Sequence, residues 1–269
     1  MQEADRGTDD ARELALLLAA AEEAGRIAMR YFRQSPEVWM KEGNSPVSEA
    51  DFAVDRFLRN ELLQARPDYG WISEETRDER APEQRRRAFV IDPIDGTRAY
   101  LHGEDTWCVS LAIVEDGRPI AGVLQCPARD EVISARSGKG AWQNGEAIHT
   151  RLPVPEQSVT IASARHGLPN WERIWQGRVY LHPYIPSLAY RIAMVARGDL
   201  SGTFVRPNSH DWDLAAADLI LAESGGAILT SAAKPIIYGL PTWRHGSLVA
   251  ASGRLLDEML SVVAGEPLS

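Results

Sequence analysis

Apolar residues recur at helical spacing in the first quarter of the chain. Leucines and alanines fall three and four positions apart over residues 10–32, which predicts an amphipathic helix whose start is capped by Asp9 or Asp10. A second helical pattern covers residues 48–65. Ser48 is a favourable N-cap residue, and Asp51 stabilises the first turn of such a helix. Both segments are therefore expected to pack as helices on a core.

Short apolar runs predict buried strands in the middle of the chain. The run Phe89-Val90-Ile91 is typical of a buried strand, and Asp92-Pro93 is expected to end it, because proline cannot donate a hydrogen bond to a sheet. Residues 69–73 predict another short strand. Later runs separated by tight turns predict an antiparallel meander of strands at residues 107–114, 120–125 and 131–135.

Strand and helix patterns alternate after the proline-rich segment 153–155. Strands are predicted at residues 158–163, 179–181, 201–205, 227–229 and 247–251, and helices at residues 187–197, 214–224 and 253–263. We therefore expect an α/β protein in which mixed sheets are layered with helices. The sequence pattern also predicts an N-terminal unit, residues 1–152, and a C-terminal unit, residues 153–269.

Composition and charge narrow the class of protein. The 269 residues are 44% hydrophobic and 25% charged, as in ordinary soluble proteins, and no apolar run predicts a membrane span. A net charge of −9 argues against nucleic acid as a partner, whereas a small anionic substrate stays compatible because bound cations reverse the local charge. The polar N-terminus is not typical of a signal peptide, and Cys108 and Cys126 lie in apolar runs. We therefore expect a cytoplasmic protein with reduced cysteines.

The residues that follow the strand at 89–91 suggest metal chemistry. Asp92 and Asp95 place two carboxylates three positions apart at the end of a strand, and Thr97 adds a hydroxyl. Hard divalent cations prefer oxygen ligands, and α/β proteins bind ligands at strand ends. A purely structural turn, with aspartates that cap a short helix, explains the same residues. The local pattern alone leaves both interpretations open.

Other acidic residues widen the set of possible ligands. Glu74 follows a predicted strand and Asp213 begins a predicted helix, where solvated or capping carboxylates are common. With Asp92 and Asp95 they make four carboxylates, enough for a pair of cations.

Four short motifs occur in a fixed order along the chain. They are Pro46-Val47-Ser48-x-x-Asp51, Ser73-Glu74-Glu75-Thr76, Asp92-Pro93-Ile94-Asp95-Gly96-Thr97, and Trp212-Asp213-Leu214-Ala215-Ala216 with Glu223-Ser224-Gly225-Gly226. In order and spacing, across nearly the whole chain, they resemble the inositol monophosphatase family. The resemblance implies a layered α-β-α-β-α fold of the sugar-phosphatase type. It also implies a magnesium-dependent, lithium-sensitive phosphomonoesterase that is commonly a homodimer.

The resemblance assigns metal ligands residue by residue. Glu74, Asp92 and the carbonyl group of Ile94 correspond to the ligands of one magnesium ion. Asp92, Asp95 and Asp213 correspond to the ligands of a second ion. Members of the family often bind a third, weaker ion near the glutamate, so the resemblance implies two to three magnesium ions per site.

The resemblance also assigns catalytic and phosphate-binding roles. Thr97 corresponds to the residue that positions the attacking water, with Asp51 as proton acceptor and Glu74 on the same water. The substrate phosphate is expected beside Asp95, at the backbone N–H groups of Gly96 and Thr97. Small departures from the family pattern, such as Ser73 in place of the usual glycine, leave every carboxylate intact.

The substrate is less well specified. Arg191 lies where relatives that act on 3′-phosphoadenosine 5′-phosphate tend to carry a basic residue, and the element at 162–166, which contains Arg165, is similar to one in those nucleotidases. Both arginines are equally consistent with surface positions. Arg206 and His210 precede the predicted ligand helix and are expected to line the leaving-group pocket. The alternative for His210 is a loop residue without a role in binding.

Three hypotheses about function follow. The first is a phosphatase for inositol phosphate or a similar small monoester. The second is the same chemistry on a 3′(2′),5′-bisphosphate nucleotide or on histidinol phosphate. The third is a regulatory binding protein that keeps the fold without catalysis, since some bacterial relatives bind transcription machinery. The intact carboxylates and Thr97 favour an enzyme.

Overall fold

The computed structural model describes residues 2–41, 45–76, 85–151, 158–162 and 177–264. The helices within these ranges are α1 (Gln2–Tyr31), α2 (Glu49–Ala65), α3 (Thr97–Leu101), α4 (Leu188–Ala196), α5 (Asp211–Glu223) and α6 (Gly253–Ala264). The first strands are β1 (Val38–Met40), β2 (Pro46–Ser48), β3 (Gly70–Ser73), β4 (Arg87–Asp95), β5 (Cys108–Glu115), β6 (Arg118–Cys126), β7 (Glu131–Arg136), β8 (Gly140–Gln143) and β9 (Glu146–Ile148). They are followed by β10 (Val159–Ala162), β11 (Val179–His182), β12 (Gly202–Val205), β13 (Ala227–Thr230) and β14 (Leu248–Ala251).

A seven-stranded sheet forms the N-terminal part of the fold. Its strands follow chain order from β3 to β9, with β3 and β4 parallel and all other neighbours antiparallel. This confirms the predicted meander. Helices α1 and α2 cover one face, where apolar side chains from both layers are buried, among them Leu17, Leu58, Trp71, Phe89 and Leu111. The large aromatic side chains explain why this face is closed to water.

A five-stranded sheet forms the C-terminal part, in the order β11-β10-β12-β14-β13. Helices α4 and α5 lie between the two sheets, and one apolar cluster joins side chains of both sheets to these helices, including Val90, Leu124, Ile192, Leu214 and Ala250. Helix α6 covers the outer face of the smaller sheet. The predicted α-β-α-β-α layering is therefore confirmed. The strands of the larger sheet precede residue 152 in the chain, and those of the smaller sheet follow it. Because the two sheets share a core, the division into two units remains a prediction.

Some local predictions were wrong. Helix α1 begins at Gln2, so the pair Asp9-Asp10 lies inside the helix and does not cap it. The antiparallel pair of β1 and β2 was not predicted from the sequence pattern. Within the described ranges, no helix combines the length and apolar character that crossing a bilayer requires.

Candidate active site

The two central aspartates lie on either side of an irregularity in β4. Asp92 and Asp95 pair with residues of β5 that are only two positions apart, so β4 holds one extra residue there. Such a bulge allows side chains three positions apart to face the same side of the sheet. The prediction that the strand ends at Asp92-Pro93 was therefore wrong. The missing N–H group of Pro93 falls in the bulge, and Ile94 donates its N–H to Asp92 Oδ1 (3.0 Å).

The N-terminus of α4 holds the carboxylate of Asp95. The hydroxyl of Ser187 donates to Asp95 Oδ2, and the backbone N–H groups of Ala189 and Leu188 donate at 2.6 and 3.3 Å. Ser187 is fully buried and also accepts from the N–H of Tyr190 (3.0 Å), as an N-cap residue does. The sequence predicted this helix start but not its contact with Asp95, because the two residues meet only through the packing of both sheets.

The third aspartate comes from the start of α5. The helix begins at Asp211, three residues earlier than predicted, and the N–H of His210 donates to Asp213 Oδ2 (2.7 Å). Among the described residues, one carboxylate oxygen from each of Asp92, Asp95 and Asp213 lies within 4.8 Å of the other two. We call this group the carboxylate cluster.

Glu74 lies at the edge of the carboxylate cluster and has its own partner. Its backbone N–H donates to the carbonyl oxygen of Ile91 (3.2 Å), next to Asp92. Its carboxylate accepts from Lys41 Nζ (2.9 Å), which also donates to Glu75 (2.6 Å). Lys41 lies in a segment that the sequence marks only as polar, so its contact with the predicted metal ligand was missed.

Asp51 combines a structural contact with a free oxygen atom. Its Oδ2 accepts from the N–H and from the hydroxyl of Ser48 (2.8 and 2.6 Å), which confirms the expected contact at the start of α2. Its Oδ1 is buried and has no hydrogen-bond partner among the described residues. An unpaired buried oxygen is costly, so this atom is available to accept a proton or a hydrogen bond from a bound group.

Gly96 and Thr97 connect the bulge to α3. Gly96 has a positive φ of 93°, and a Cβ atom at this position would lie 3.0 Å from the side chain of Ser187, so glycine is required. The hydroxyl of Thr97 donates to the carbonyl oxygen of Ile94 (3.1 Å). The structure therefore brings Thr97 to the carbonyl group that the resemblance assigns to a metal ion.

Crowded negative charge makes the carboxylate cluster suited to cations. Burial, followed by the nearby charge of Glu74, holds the pKa of Asp92 well above its ordinary value. Burial and the charge of Asp213 raise the pKa of Asp95 to about 7. Within the described ranges, no ion pair reaches Asp92 or Asp95. Oxygen ligands that repel one another and lack a counter-ion fit hard divalent cations such as magnesium.

The pKa values of nearby acidic residues are also raised. Burial raises the pKa of Asp51 to about 6, although its hydrogen bonds from Ser48 oppose the shift. Burial and the charge of Glu74 raise the pKa of Glu75 to about 7. The folded protein therefore holds several protons more tightly than the unfolded chain does.

These shifts predict how the metal-free protein responds to pH. A carboxyl group whose pKa is raised by folding stabilises the fold below its unfolded pKa and loses that contribution as pH rises through the folded pKa. The pKa of Asp51 is about 6, and the pKa values of Asp95 and Glu75 are about 7. Tm measured in EDTA should therefore decrease as the pH rises from 5 to 7.5. Saturating magnesium should flatten this slope. A Tm in EDTA that rises over the same interval would contradict the assignment.

The predicted substrate residues differ in their surroundings. Arg191 is only 9% exposed, so the surface alternative was wrong for this residue. Arg206 is exposed, and its charge lies close enough to lower the pKa of Arg191 further. The ring of His210 stacks on Trp212 and accepts from Arg244 Nε (3.2 Å), so it is fixed rather than free in a loop. Arg165 lies outside the described residues.

Comparison with known proteins identifies the family. A model of the inositol monophosphatase family matches residues 10–265. The chain belongs to the inositol monophosphatase family. It is accordingly a phosphoric monoester hydrolase, as the four motifs implied. The fold agrees, since an inositol monophosphatase from Thermotoga maritima superimposes with a TM-score of 0.83 at 26% identity, covering 94% of this chain and 97% of that chain.

Relatives within the family carry several names. The chain is 30% identical to an inositol-1-monophosphatase from Mesorhizobium japonicum, over 95% of this chain and 97% of the relative. It is 28% identical to the 3′(2′),5′-bisphosphate nucleotidase CysQ of Aggregatibacter actinomycetemcomitans, over 82% and 86%. It is 30% identical to a histidinol-phosphatase from Mycobacterium tuberculosis, over 93% and 96%. The chain is thus about equally identical to relatives named for three different phosphate esters.

Proposed function

We propose that this protein hydrolyses a small phosphate monoester in a magnesium-dependent reaction at the carboxylate cluster. The main support is that one carboxylate oxygen from each of Asp92, Asp95 and Asp213 lies within 4.8 Å of the other two, and that no ion pair reaches Asp92 or Asp95 among the described residues. In this proposal Glu74, Asp92 and the carbonyl of Ile94 hold one ion, and the carboxylate cluster holds another. Bound magnesium supplies positive charge beside the phosphate oxygens and lowers the pKa of water.

The protein's own groups position water and accept a proton in this proposal. The hydroxyl of Thr97 orients the attacking water, and Asp51 accepts its proton, with Glu74 beside the same water. Two observations support Asp51 as the base: its Oδ1 is buried without a hydrogen-bond partner among the described residues, and its pKa is raised to about 6, close to the range that suits a base at neutral pH. The N–H groups of Gly96 and Thr97 bind the phosphate in the same scheme.

Arg191 favours a substrate that carries a second anionic group. The residue is nine-tenths buried. Among the described residues its Nε atom has no hydrogen-bond partner, and its one hydrogen bond goes from Nη1 to the carbonyl oxygen of Ile185 (3.4 Å). Burial lowers its pKa, and the charge of Asp95 partly opposes this shift. An unpaired buried cation is costly, and a phosphate group repays that cost by bidentate pairing.

This observation separates the candidate substrates. A bisphosphate nucleotide, which the relative CysQ is named for, places a second phosphate near the scissile one. Inositol is uncharged, and histidinol carries an ammonium group that Arg191 and Arg206 would repel. We therefore propose a leaving group with its own phosphate as the preferred class, with Arg206 and His210 lining the pocket. We further propose that the enzyme is inhibited by lithium, is cytoplasmic and forms a homodimer.

A panel of esters tests the proposed function. Release of phosphate from inositol 1-phosphate, 3′-phosphoadenosine 5′-phosphate and histidinol phosphate should require magnesium, stop in EDTA and decrease with lithium. The kcat/KM for the bisphosphate should be the highest of the three. Hydrolysis that is independent of magnesium would contradict the metal mechanism. Absence of turnover for every ester would favour the regulatory alternative.

A further inference from the structure

A buried aspartate outside the carboxylate cluster accepts hydrogen bonds from the turn that carries Glu74. Asp55 lies on α2, one turn after Asp51, and is only 2% exposed. Its Oδ1 accepts from the hydroxyl of Ser73 (2.5 Å), and its Oδ2 accepts from the hydroxyl of Thr76 (2.9 Å). One carboxylate therefore bridges the two residues that flank Glu74-Glu75.

The same turn is held from other sides. Ser73 Oγ also accepts from the N–H of Glu75 (3.2 Å), and Thr76 Oγ1 accepts from Trp71 Nε1 (2.9 Å). The N–H of Glu74 donates to β4, as described above. These contacts fix the backbone of the turn, whereas the carboxylate of Glu74 itself is bonded only by Lys41 among the described contacts. The position of that carboxylate is therefore set by the backbone that Asp55 supports.

We propose that Asp55, acting through Ser73 and Thr76, is a positioning residue that places Glu74 for binding magnesium. This inference rests on the proposed role of Glu74 as a metal ligand. Ligands must be held within about 0.5 Å of their productive positions, and hydrogen bonds to the supporting structure provide that precision. The Ser73 hydroxyl both donates to Asp55 and accepts from the N–H of Glu75, so this side chain links Asp55 directly to the turn.

Magnesium affinity of the substrate-free protein is the most direct readout. Asp55→Ala removes both acceptors, and the dissociation constant for magnesium measured by calorimetry should rise roughly 10- to 100-fold. At saturating magnesium, kcat should return to within about threefold of wild type, and KM for the ester should not change, since Asp55 touches neither substrate nor metal. Ser73→Gly removes one donor and should raise the dissociation constant roughly 2- to 10-fold.

Two controls separate positioning from simple destabilisation. Glu13→Gln alters another buried carboxylate of the helical layer, which accepts from Arg66 Nε (2.9 Å) and Tyr69 Oη (3.1 Å), and should lower Tm without changing magnesium affinity. Should Asp55→Ala fail to fold, Ser73→Gly still decides the question. Wild-type magnesium affinity in Ser73→Gly, and in Asp55→Ala where that variant folds, would overturn the role of Asp55. Absence of magnesium binding in the wild-type protein would instead overturn the proposed function.

Discussion

Asp95→Asn is expected to lower magnesium-dependent turnover roughly 100-fold or more while the fold is retained. Changes to groups that merely support metal ligands cost 10- to 100-fold, and loss of a ligand charge should cost at least as much. Asparagine keeps the shape of the side chain and one acceptor for Ser187 and the N-terminus of α4. It also removes one of the crowded negative charges, so Tm of the metal-free variant should equal or exceed that of the wild type.

Asp218→Asn provides a matched control for this change. Asp218 lies on the same helix as Asp213, and its carboxylate accepts from the hydroxyl of Tyr238 (2.8 Å). Burial raises its pKa to about 6, so it shares the electrostatic character of the cluster residues without belonging to the cluster. The turnover of the Asp218→Asn variant should stay within about threefold of wild type. Unchanged magnesium-dependent activity in Asp95→Asn would remove that residue from the proposed metal site.

Arg191→Met is expected to reverse the substrate preference. A hydrogen bond between charged groups contributes about 1.5–3 kcal/mol, so kcat/KM for 3′-phosphoadenosine 5′-phosphate should fall roughly 10- to 150-fold. The value for inositol 1-phosphate should remain within about threefold, because its leaving group has no charge for Arg191 to bind. Methionine fills the same buried space without a charge, so Tm should not decrease.

The two substrates serve as each other's control in this experiment. Arg191→Lys keeps the charge but not the planar fork of donors, so it should retain only part of the preference for the bisphosphate. An equal loss of kcat/KM on both esters would indicate that Arg191 supports the fold of the site or the position of Asp95. That result would remove the reason for preferring a substrate with a second phosphate.

Much of the fold was predictable because it depends on local patterns. The spacing of apolar residues located α2 and the meander of β5 to β7, in which tight turns separate the strands. Local rules were wrong where tertiary structure overrides them. Pro93 was expected to end a strand, yet a bulge accommodates its missing donor and carries the strand on to Asp95.

The candidate site was predictable in its acidic residues but not in its supporting contacts. Asp92, Asp95 and Asp213 belong to motifs that can be recognised in the sequence, and the structure brings them together. Lys41 and Ser187 could not be recognised in the same way. A lysine in a polar loop and a serine at a helix start have ordinary explanations, and their contacts with Glu74 and Asp95 exist only after distant segments have packed.

Asp55 is a supporting residue that the sequence could have indicated. It follows Asp51 by four positions, so both carboxylates lie on the buried face of the same helix. A buried acidic residue almost always has a partner, and a second one on a predicted core face therefore marks a nearby site or support. The sequence did not show that its partners flank Glu74, because β3 and α2 meet only in the folded protein.

Anomalous diffraction from crystals soaked in manganese tests the central claim most directly. Manganese prefers the same oxygen ligands as magnesium and scatters anomalously. We expect one peak within bonding distance of Asp92, Asp95 and Asp213 and another shared by Glu74, Asp92 and the carbonyl oxygen of Ile94. Crystals of active protein in which no peak lies between these carboxylates, while manganese binds elsewhere, would contradict the proposed metal site.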